Sequence, residues 1–176
     1  LRAGQWRRDA NRGHELGAQT VALIGYGATG SAVGARLAGF GCRVLAYDKY
    51  KRGFGHAHVR EAGMEEIFAQ ATVLSLHVPL TPETHYLVNE AYLARFAHPL
   101  WLVNCARGEV VHMPALLAAL RSGRLRGAAL DVFENENWAA LTPAQAAEQA
   151  ALSEMDQVLR TPHIAGWSYE SAARIN

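Results

Sequence analysis

A glycine-rich segment in the first quarter of the sequence has the spacing of a phosphate-binding turn. Gly25, Gly27 and Gly30 form the pattern G-x-G-x-x-G after the apolar run T-V-A-L-I. The first glycine permits a tight turn, the second lets a pyrophosphate approach the backbone, and the third lets a helix pack against the strand. Asp48 follows at the end of the next predicted strand, where a carboxylate can hold ribose hydroxyl groups. These residues predict dinucleotide binding, with the phosphates at a helix N-terminus.

Two other classes of enzyme use a similar glycine segment. A methyltransferase that uses S-adenosylmethionine also has a glycine loop before an acidic strand end, and it stays as a distant alternative. Short-chain reductases use Tyr-x-x-x-Lys, and Tyr47 and Lys51 have that spacing. This pair lies beside the expected adenosine site, however, whereas the catalytic pair of a reductase must lie beside the nicotinamide.

Three later segments place Arg107, Glu136 and His163 at or after the ends of predicted strands. The segments are V-N-C-A-R-G-E-V-V at 103–111, G-A-A-L-D-V-F-E-N-E at 127–136 and T-P-H-I-A-G-W at 161–167. Because ligands of open parallel sheets bind at the carboxyl ends of the strands, we expect these segments to meet at that end of the sheet.

Together with L-H-V-P-L-T-P-E-T at 76–84, these segments resemble the D-isomer-specific 2-hydroxyacid dehydrogenases. The resemblance covers residues 6–176 with the four segments in the family's order, and it is especially close to the phosphoglycerate dehydrogenases. It implies reversible oxidation of a D-2-hydroxyacid by NAD, with 3-phosphoglycerate as a candidate substrate and without a metal ion.

The resemblance also implies roles for individual residues. Arg107 would bind the substrate carboxylate and polarise the reacting carbonyl, for which a guanidinium fork is well suited. His163 would be the general base in oxidation and the acid in reverse. Glu136 would pair with His163 and stabilise the imidazolium, although Glu134 lies close. The implied cofactor-binding residues are Gly25, Gly27, Ala28, Thr29, Gly30, Asp48, Val78, Pro79, Thr84, Cys105, Ala106, Arg107, Asp131, His163 and Gly166.

Within that set, the resemblance assigns different parts of the cofactor to different segments. Residues 28–29 would lie against the pyrophosphate, and the positions at 78–84 would wall the adenosine. Residues 105–106 would lie near the nicotinamide, and Asp131 would contact its carboxamide side.

Several positions depart from the family pattern. Asn137 follows Glu136 where proline is usual, and the connection onward to Thr161 is longer than usual. His112 stands where an aspartate often caps the next helix, and Ala165 replaces a common glycine. We therefore expect the loop around Glu136 to differ from the family's usual geometry.

Alternating strands and helices must position these residues. The predicted strands are 20–25, 43–48, 72–78, 100–104 and 127–132, and the predicted helices are 31–40, 61–69, 89–96 and 114–122. Continuous apolar strands in a β-α-β alternation predict an α/β fold, a doubly wound parallel sheet of the Rossmann type.

A single dinucleotide-binding domain is expected over residues 1–176. Residues 1–17 are predicted to be a lead-in helix from a substrate domain that this chain lacks, and 137–160 a surface excursion with a helix between Pro143 and Leu152. In the family, segments on both sides of the nucleotide-binding domain form the substrate domain. The chain alone is therefore expected to bind cofactor with little activity.

The composition limits the expected partners. The net charge of +1 gives no attraction to nucleic acid, and no apolar run is long enough to span a membrane. Cys42 and Cys105 form no disulfide framework, which is typical of a cytoplasmic protein. The expected partners are a small 2-hydroxyacid or 2-ketoacid and a second copy, because family members commonly dimerise and Trp6, Trp138 and Trp167 lie in irregular or terminal segments.

A non-enzymatic NAD sensor is the main functional alternative. Transcriptional corepressors resemble the same family and keep much of the site, so the Arg, Glu and His do not separate the two functions.

Overall fold

A seven-stranded parallel sheet forms the centre of the protein. The computed structural model describes residues 4–6, 8–9 and 12–175. The strands are β1 Thr20–Ile24, β2 Arg43–Tyr47, β3 Arg60–Glu61, β4 Val73–Leu76, β5 Leu100–Asn104, β6 Leu125–Leu130 and β7 Val158–Arg160. Their order is β3-β2-β1-β4-β5-β6-β7, and every pairing is parallel. The order reverses direction between β1 and β4, which is where sheets of this type bind their ligands.

Helices cover the sheet on both faces. They are α1 Ala28–Leu37, α2 Met64–Gln70, α3 Glu90–Ala94, α4 Met113–Arg121, α5 Pro143–Ser153 and α6 Tyr169–Ile175. On one face Val33 and Leu37 of α1 pack on a cluster that includes Leu23 of β1. On the other face a larger core joins α2, α3, α4 and α5 to the sheet, with Leu116 fully buried. The two layers confirm the predicted doubly wound parallel sheet.

Several predicted boundaries were wrong. Helix α1 begins at Ala28, directly after the glycine turn, and ends at Leu37, so the predicted helix 31–40 started and ended too late. The short strands β3 and β7 were not predicted at all. The predicted lead-in helix at 1–17 lies partly outside the described residues, and the described ones before Leu16 form no α-helix.

The segment 137–160 is only partly a surface excursion. Thr142 and Gln145 form a reciprocal capping box at the start of α5, which fixes the helix at the predicted place. The segment then returns as β7, which pairs with β6 and closes one edge of the sheet. Because all strands are parallel, residues 161–163 after β7 lie at the same carboxyl end of the sheet as the glycine turn after β1.

In the part of the chain that the structure describes, no helix has both the length and the apolar composition needed to cross a membrane. The same described residues contain no group of three or more His, Cys, Asp or Glu side chains arranged to hold a metal ion.

Candidate cofactor and catalytic site

The glycine turn after β1 is shaped by backbone contacts that exclude other residues. Gly25 has a φ of +94°, and a Cβ atom there would lie 2.5 Å from the carbonyl oxygen of His77. A Cβ on Gly30 would lie 2.1 Å from the carbonyl oxygen of Gly25. A Cβ on Gly27 would meet nothing within 4 Å. Open space at Gly27, beside the free N–H groups at the start of α1, fits a pyrophosphate group.

Asp48 follows β2 and lies beside this turn. Its Oδ2 accepts the amide of Tyr26 at 2.9 Å, and its Oδ1 accepts the amides of Tyr50 and Lys51 at 2.9 and 3.0 Å. Burial alone would raise the pKa of Asp48, but these amides and the charge of Lys51 outweigh it and lower the pKa. The carboxylate is therefore ionised at neutral pH. A carboxylate has about four acceptor positions, so capacity remains for a ribose hydroxyl.

The loop after β4 lies on the other side of the glycine turn from Asp48, because β1 lies between β2 and β4. Val78 lies against the glycine turn, with its Cγ1 3.1 Å from the position of a Cβ on Gly25. Thr84 Oγ1 donates to the carbonyl oxygen of Pro79 at 2.6 Å and accepts the amide of Thr81 at 2.8 Å. The structure thus brings these three predicted residues together, with the Thr84 hydroxyl fixing the shape of the loop.

A tight turn after β5 presents Arg107. Asn104 is buried, accepts the amide of Ala106 at 3.0 Å and donates to the carbonyl oxygen of Arg107 at 3.0 Å. A Cβ on Gly108 would lie 1.9 Å from the backbone of Phe133, so the turn is pressed against the segment after β6. The exposed Arg107 guanidinium donates to the carbonyl oxygen of Ala106 at 2.6 Å, which leaves its other N–H groups for a ligand.

Cys105 precedes this turn and is exposed. Desolvation, followed by the charge of Asp131, raises the pKa of the Cys105 thiol. A thiol that is not ionised at neutral pH is a poor nucleophile, which argues against covalent chemistry at this position.

His163 and Glu136 form a hydrogen-bonded pair at the same carboxyl end of the sheet. The Nδ1 of His163 lies 2.8 Å from Oε2 of Glu136, and both side chains are about half exposed, at 50% and 44%. Since an ionised carboxylate only accepts hydrogen bonds, Nδ1 carries a proton and Nε2 faces away from the pair. The Arg107 turn follows β5, which is the neighbour of β6, the strand that precedes Glu136; the two strands are paired up to Asn104 and Leu130.

Comparisons with known proteins identify the family. The sequence profile of the D-isomer-specific 2-hydroxyacid dehydrogenase NAD-binding domain matches residues 1–165. The chain belongs to this family. It is 37% identical over 179 residues to a D-3-phosphoglycerate dehydrogenase of Mycobacterium leprae, covering 99% of this chain and 32% of that protein. It is 35% identical over 182 residues to a glyoxylate reductase of Thermofilum pendens, covering 99% and 51%.

Solved structures agree with this assignment. The D-lactate dehydrogenase of Aquifex aeolicus, crystallised with NAD and lactic acid, superposes with a TM-score of 0.88 at 32% identity, over 99% of this chain and 55% of that one. The chain thus spans about half the length or less of these relatives, and it corresponds to the NAD-binding domain of the family. The predicted family, fold and cofactor are confirmed, whereas nothing in the comparisons supports a non-enzymatic sensor.

Asp131 holds the histidine loop of this dehydrogenase domain. The side chain is buried; its carboxylate accepts the Thr161 hydroxyl at 2.6 Å and the amides of Ile164 and Ala165 at 2.8 and 2.9 Å. Its carbonyl oxygen accepts the amide of His163 at 2.8 Å. His163 has a φ of +53°, a left-handed conformation that costs a residue with a side chain about 1–2 kcal/mol. Asp131 therefore stabilises the strained loop, and its carboxylate is already engaged within the chain.

Glu134 and Glu136, which spacing alone could not separate, have different partners. Glu134 Oε1 accepts the amide of Met113 at 2.8 Å, and its Oε2 accepts the hydroxyl of Tyr86 at 3.3 Å. Glu134 thus supplies a hydrogen bond at the start of α4, where His112 provides no side-chain cap. Glu136 alone of the two reaches His163.

The long connection after Glu136 is ordered by side-chain contacts. Asn135 accepts the amide of Asn137 at 2.9 Å and donates to Gln145 at 3.1 Å. A cavity of about 560 Å³ lies between this connection and the end of β7, lined in part by Phe133, Glu136 and His163. The proline that is usual after Glu136 is replaced by this hydrogen-bonded turn.

Two residues that hold the candidate site in shape were not foreseen. Asn104 and Thr161, which hold the Arg107 and His163 segments, were not predicted as site residues, although an asparagine at the end of an apolar strand is a recognisable turn signal. Gly166 was predicted to bind the cofactor, and a Cβ there would meet nothing within 4 Å, as at Gly27. Its carbonyl oxygen accepts the Ser171 hydroxyl at 2.6 Å.

Proposed function

We propose that the protein containing this domain oxidises a D-2-hydroxyacid with NAD, reversibly. The observation that carries the proposal is the His163–Glu136 pair, whose Nδ1 and Oε2 lie 2.8 Å apart. This pair lies at the carboxyl end of the sheet, as do the glycine turn and the Arg107 turn. This reaction needs a proton acceptor, a cation that binds the substrate carboxylate and a site for the dinucleotide. All three would lie at the same end of the sheet.

The residues of this chain would divide the work as follows. The turn at 25–30, Asp48 and the loop at 78–84 would hold the cofactor, with residues 105–106 beside its reactive ring. NAD supplies the hydride acceptor when bound. Arg107 would turn its guanidinium to the substrate carboxylate and orient the 2-hydroxyl group. Nε2 of His163 would take the hydroxyl proton, because Nδ1 is held by Glu136.

Asp131 has a more indirect role in this proposal. Its carboxylate binds three donors of the 161–165 loop, so we propose that it orients His163 and lies behind the nicotinamide rather than holding the carboxamide directly. It is a positioning residue in this scheme.

The substrate and the assembly are further parts of the proposal. We propose 3-phosphoglycerate as the first candidate substrate, on the similarity to the D-3-phosphoglycerate dehydrogenase of Mycobacterium leprae. We also propose a homodimer, supported by the exposed aromatics Trp6, Trp138 and Trp167, and a cytoplasmic location, supported by free cysteines. Since the chain spans about half of its relatives, turnover would need the second, substrate-binding domain.

A substrate panel tests the reaction. The protein containing this domain is incubated with NAD and D-3-phosphoglycerate, D-lactate or D-glycerate, and NADH formation is followed by absorbance; each L-isomer is the control. We expect turnover of at least one D-isomer and none of the L-isomers. Preference for L-isomers, or NADH binding without turnover of any 2-hydroxyacid or 2-ketoacid, would contradict the proposal.

The two neighbouring glutamates should differ in their effect on the pH–rate profile. Glu136→Gln withdraws the negative charge beside the His163 ring, which disfavours the imidazolium, so the histidine limb of the profile should move to lower pH. Glu134→Gln should leave the profile in place and destabilise α4, by about 1 kcal/mol for a weakened helix-start contact. Kinetics over pH and urea unfolding of both variants measure the difference. A shift in Glu134→Gln alone would instead identify Glu134 as the partner.

A further inference from the structure

Three basic residues follow Asp48 and could attract the 2′-phosphate that distinguishes NADP from NAD. They are Lys49, Lys51 and Arg52. In dinucleotide-binding domains, an acidic residue at this strand end favours NAD, and a basic residue nearby accommodates the 2′-phosphate. The sequence alone therefore combines features of both preferences at this strand end.

The structure shows each of the three cations bound within the chain. Lys51 Nζ donates to the carbonyl oxygen of Tyr26 at 3.0 Å. Arg52 donates to the carbonyl oxygens of Asp48 and Lys51, both at 2.7 Å. Lys49 differs from the other two, since its partner is a carboxylate: Nζ lies 2.6 Å from Oε2 of Glu83.

Glu83 reaches Lys49 across the carboxyl end of β1, where the glycine turn lies. It belongs to the loop after β4, whereas Lys49 follows β2, and β1 with its glycine turn lies between those two strands. The hydroxyl of Tyr50 donates to the same Glu83 oxygen at 2.9 Å. The neighbouring Thr84 fixes this loop through Pro79 and Thr81, so Glu83 is presented from an ordered segment.

We propose that Glu83 is a specificity-determining residue that favours NAD over NADP by holding Lys49 away from the place of a 2′-phosphate. Without Glu83, the Lys49 ammonium, directly after Asp48, would be free to pair with that phosphate. This inference depends on cofactor binding alone and not on the identity of the substrate.

Charge supports the same assignment. Hydrogen bonds from Lys49 and then Tyr50 lower the pKa of Glu83, and the bond to Glu83 raises the pKa of Lys49. Both partners are therefore ionised at neutral pH. The pair is about half exposed, so its contribution to folding is small and its effect should appear in cofactor choice.

Titration of the purified protein with NADH and NADPH tests the inference. We expect Glu83→Gln to tighten NADPH binding by about 10-fold, as a freed ammonium pairs with the phosphate, and to change NADH binding less than about 2-fold. Lys49→Ala should not tighten NADPH binding. The double variant, Glu83→Gln with Lys49→Ala, should return to the wild-type ratio of the two dissociation constants.

A matched control is Glu65→Gln, which removes an exposed carboxylate paired with Arg95 on the surface of α2. It should leave both dissociation constants unchanged. An unchanged ratio in Glu83→Gln would overturn the proposal. So would a gain in NADPH affinity that survives in the double variant, because Glu83 would then act by direct repulsion and not through Lys49. Since the readout is binding, failure of the proposed dehydrogenase activity would leave this test intact.

Discussion

Replacing His163 with alanine is expected to lower kcat by roughly 10²–10⁴-fold, the usual contribution of general acid–base catalysis. The variant removes Nε2, the proposed proton acceptor, and also the partner of Glu136. The turn proposed to hold the pyrophosphate is at Gly27, after β1, whereas His163 follows β7, so NADH affinity should change little. The measurement is steady-state turnover of the D-2-hydroxyacid found in the panel, together with an NADH titration.

His98→Ala provides the matched control for this variant. His98 is exposed and lies just before β5, at the amino end of the strands, whereas the candidate site lies at their carboxyl end. Its replacement should leave kcat and NADH affinity at wild-type values. Near-normal turnover in His163→Ala would remove His163 from the mechanism and leave the dinucleotide cradle without an identified base.

The parts of the fold that could be predicted are those fixed by local pattern. Continuous apolar runs gave the five long strands, because a strand buried on both faces must be apolar throughout. The start of α1 was placed three residues too late, since Thr29 and Gly30 have low helix propensity and tertiary contacts impose the helix there. The edge strand β7 was missed because it has only three residues and its Leu159 is 65% exposed.

In the candidate site, too, some features could be predicted from the sequence and others could not. The glycine turn is predictable because its spacing reveals where glycine is required: at Gly25 and Gly30 a Cβ would collide with the backbone. The partners of Glu134 and Glu136 are not, because both residues lie in one irregular segment and only the tertiary fold decides which of them reaches His163. For Asp131 the sequence predicted a contact with the cofactor. Its hydrogen bonds to Thr161 and Ile164, some thirty positions later in the chain, could not be predicted from spacing.

The contacts of Asp131 lead to the second large effect. The left-handed backbone of His163 is maintained only if the loop around it is held, and the Asp131 carboxylate binds that loop at Thr161, Ile164 and Ala165. Burial alone would raise the pKa of Asp131, but these donors outweigh it and lower the pKa. The stabilisation is therefore fully present above the ordinary pKa of 3.8 and is lost as the pH falls through the lowered value.

Asp131→Asn should both destabilise the domain and slow the reaction. Asparagine keeps the volume, but its NH₂ group would face a backbone N–H of the loop, so at least one loop N–H loses its acceptor. We expect the free energy of unfolding at neutral pH to fall by about 3 kcal/mol, and kcat to fall by about 10-fold or more because His163 is displaced.

Asp156→Asn, at an exposed position, is the control and should change neither quantity. Urea unfolding at neutral and acidic pH should show that the difference between wild type and variant narrows in acid, where the wild-type carboxylate is protonated. Loss of stability with unchanged kcat would show that Asp131 supports the fold without positioning His163.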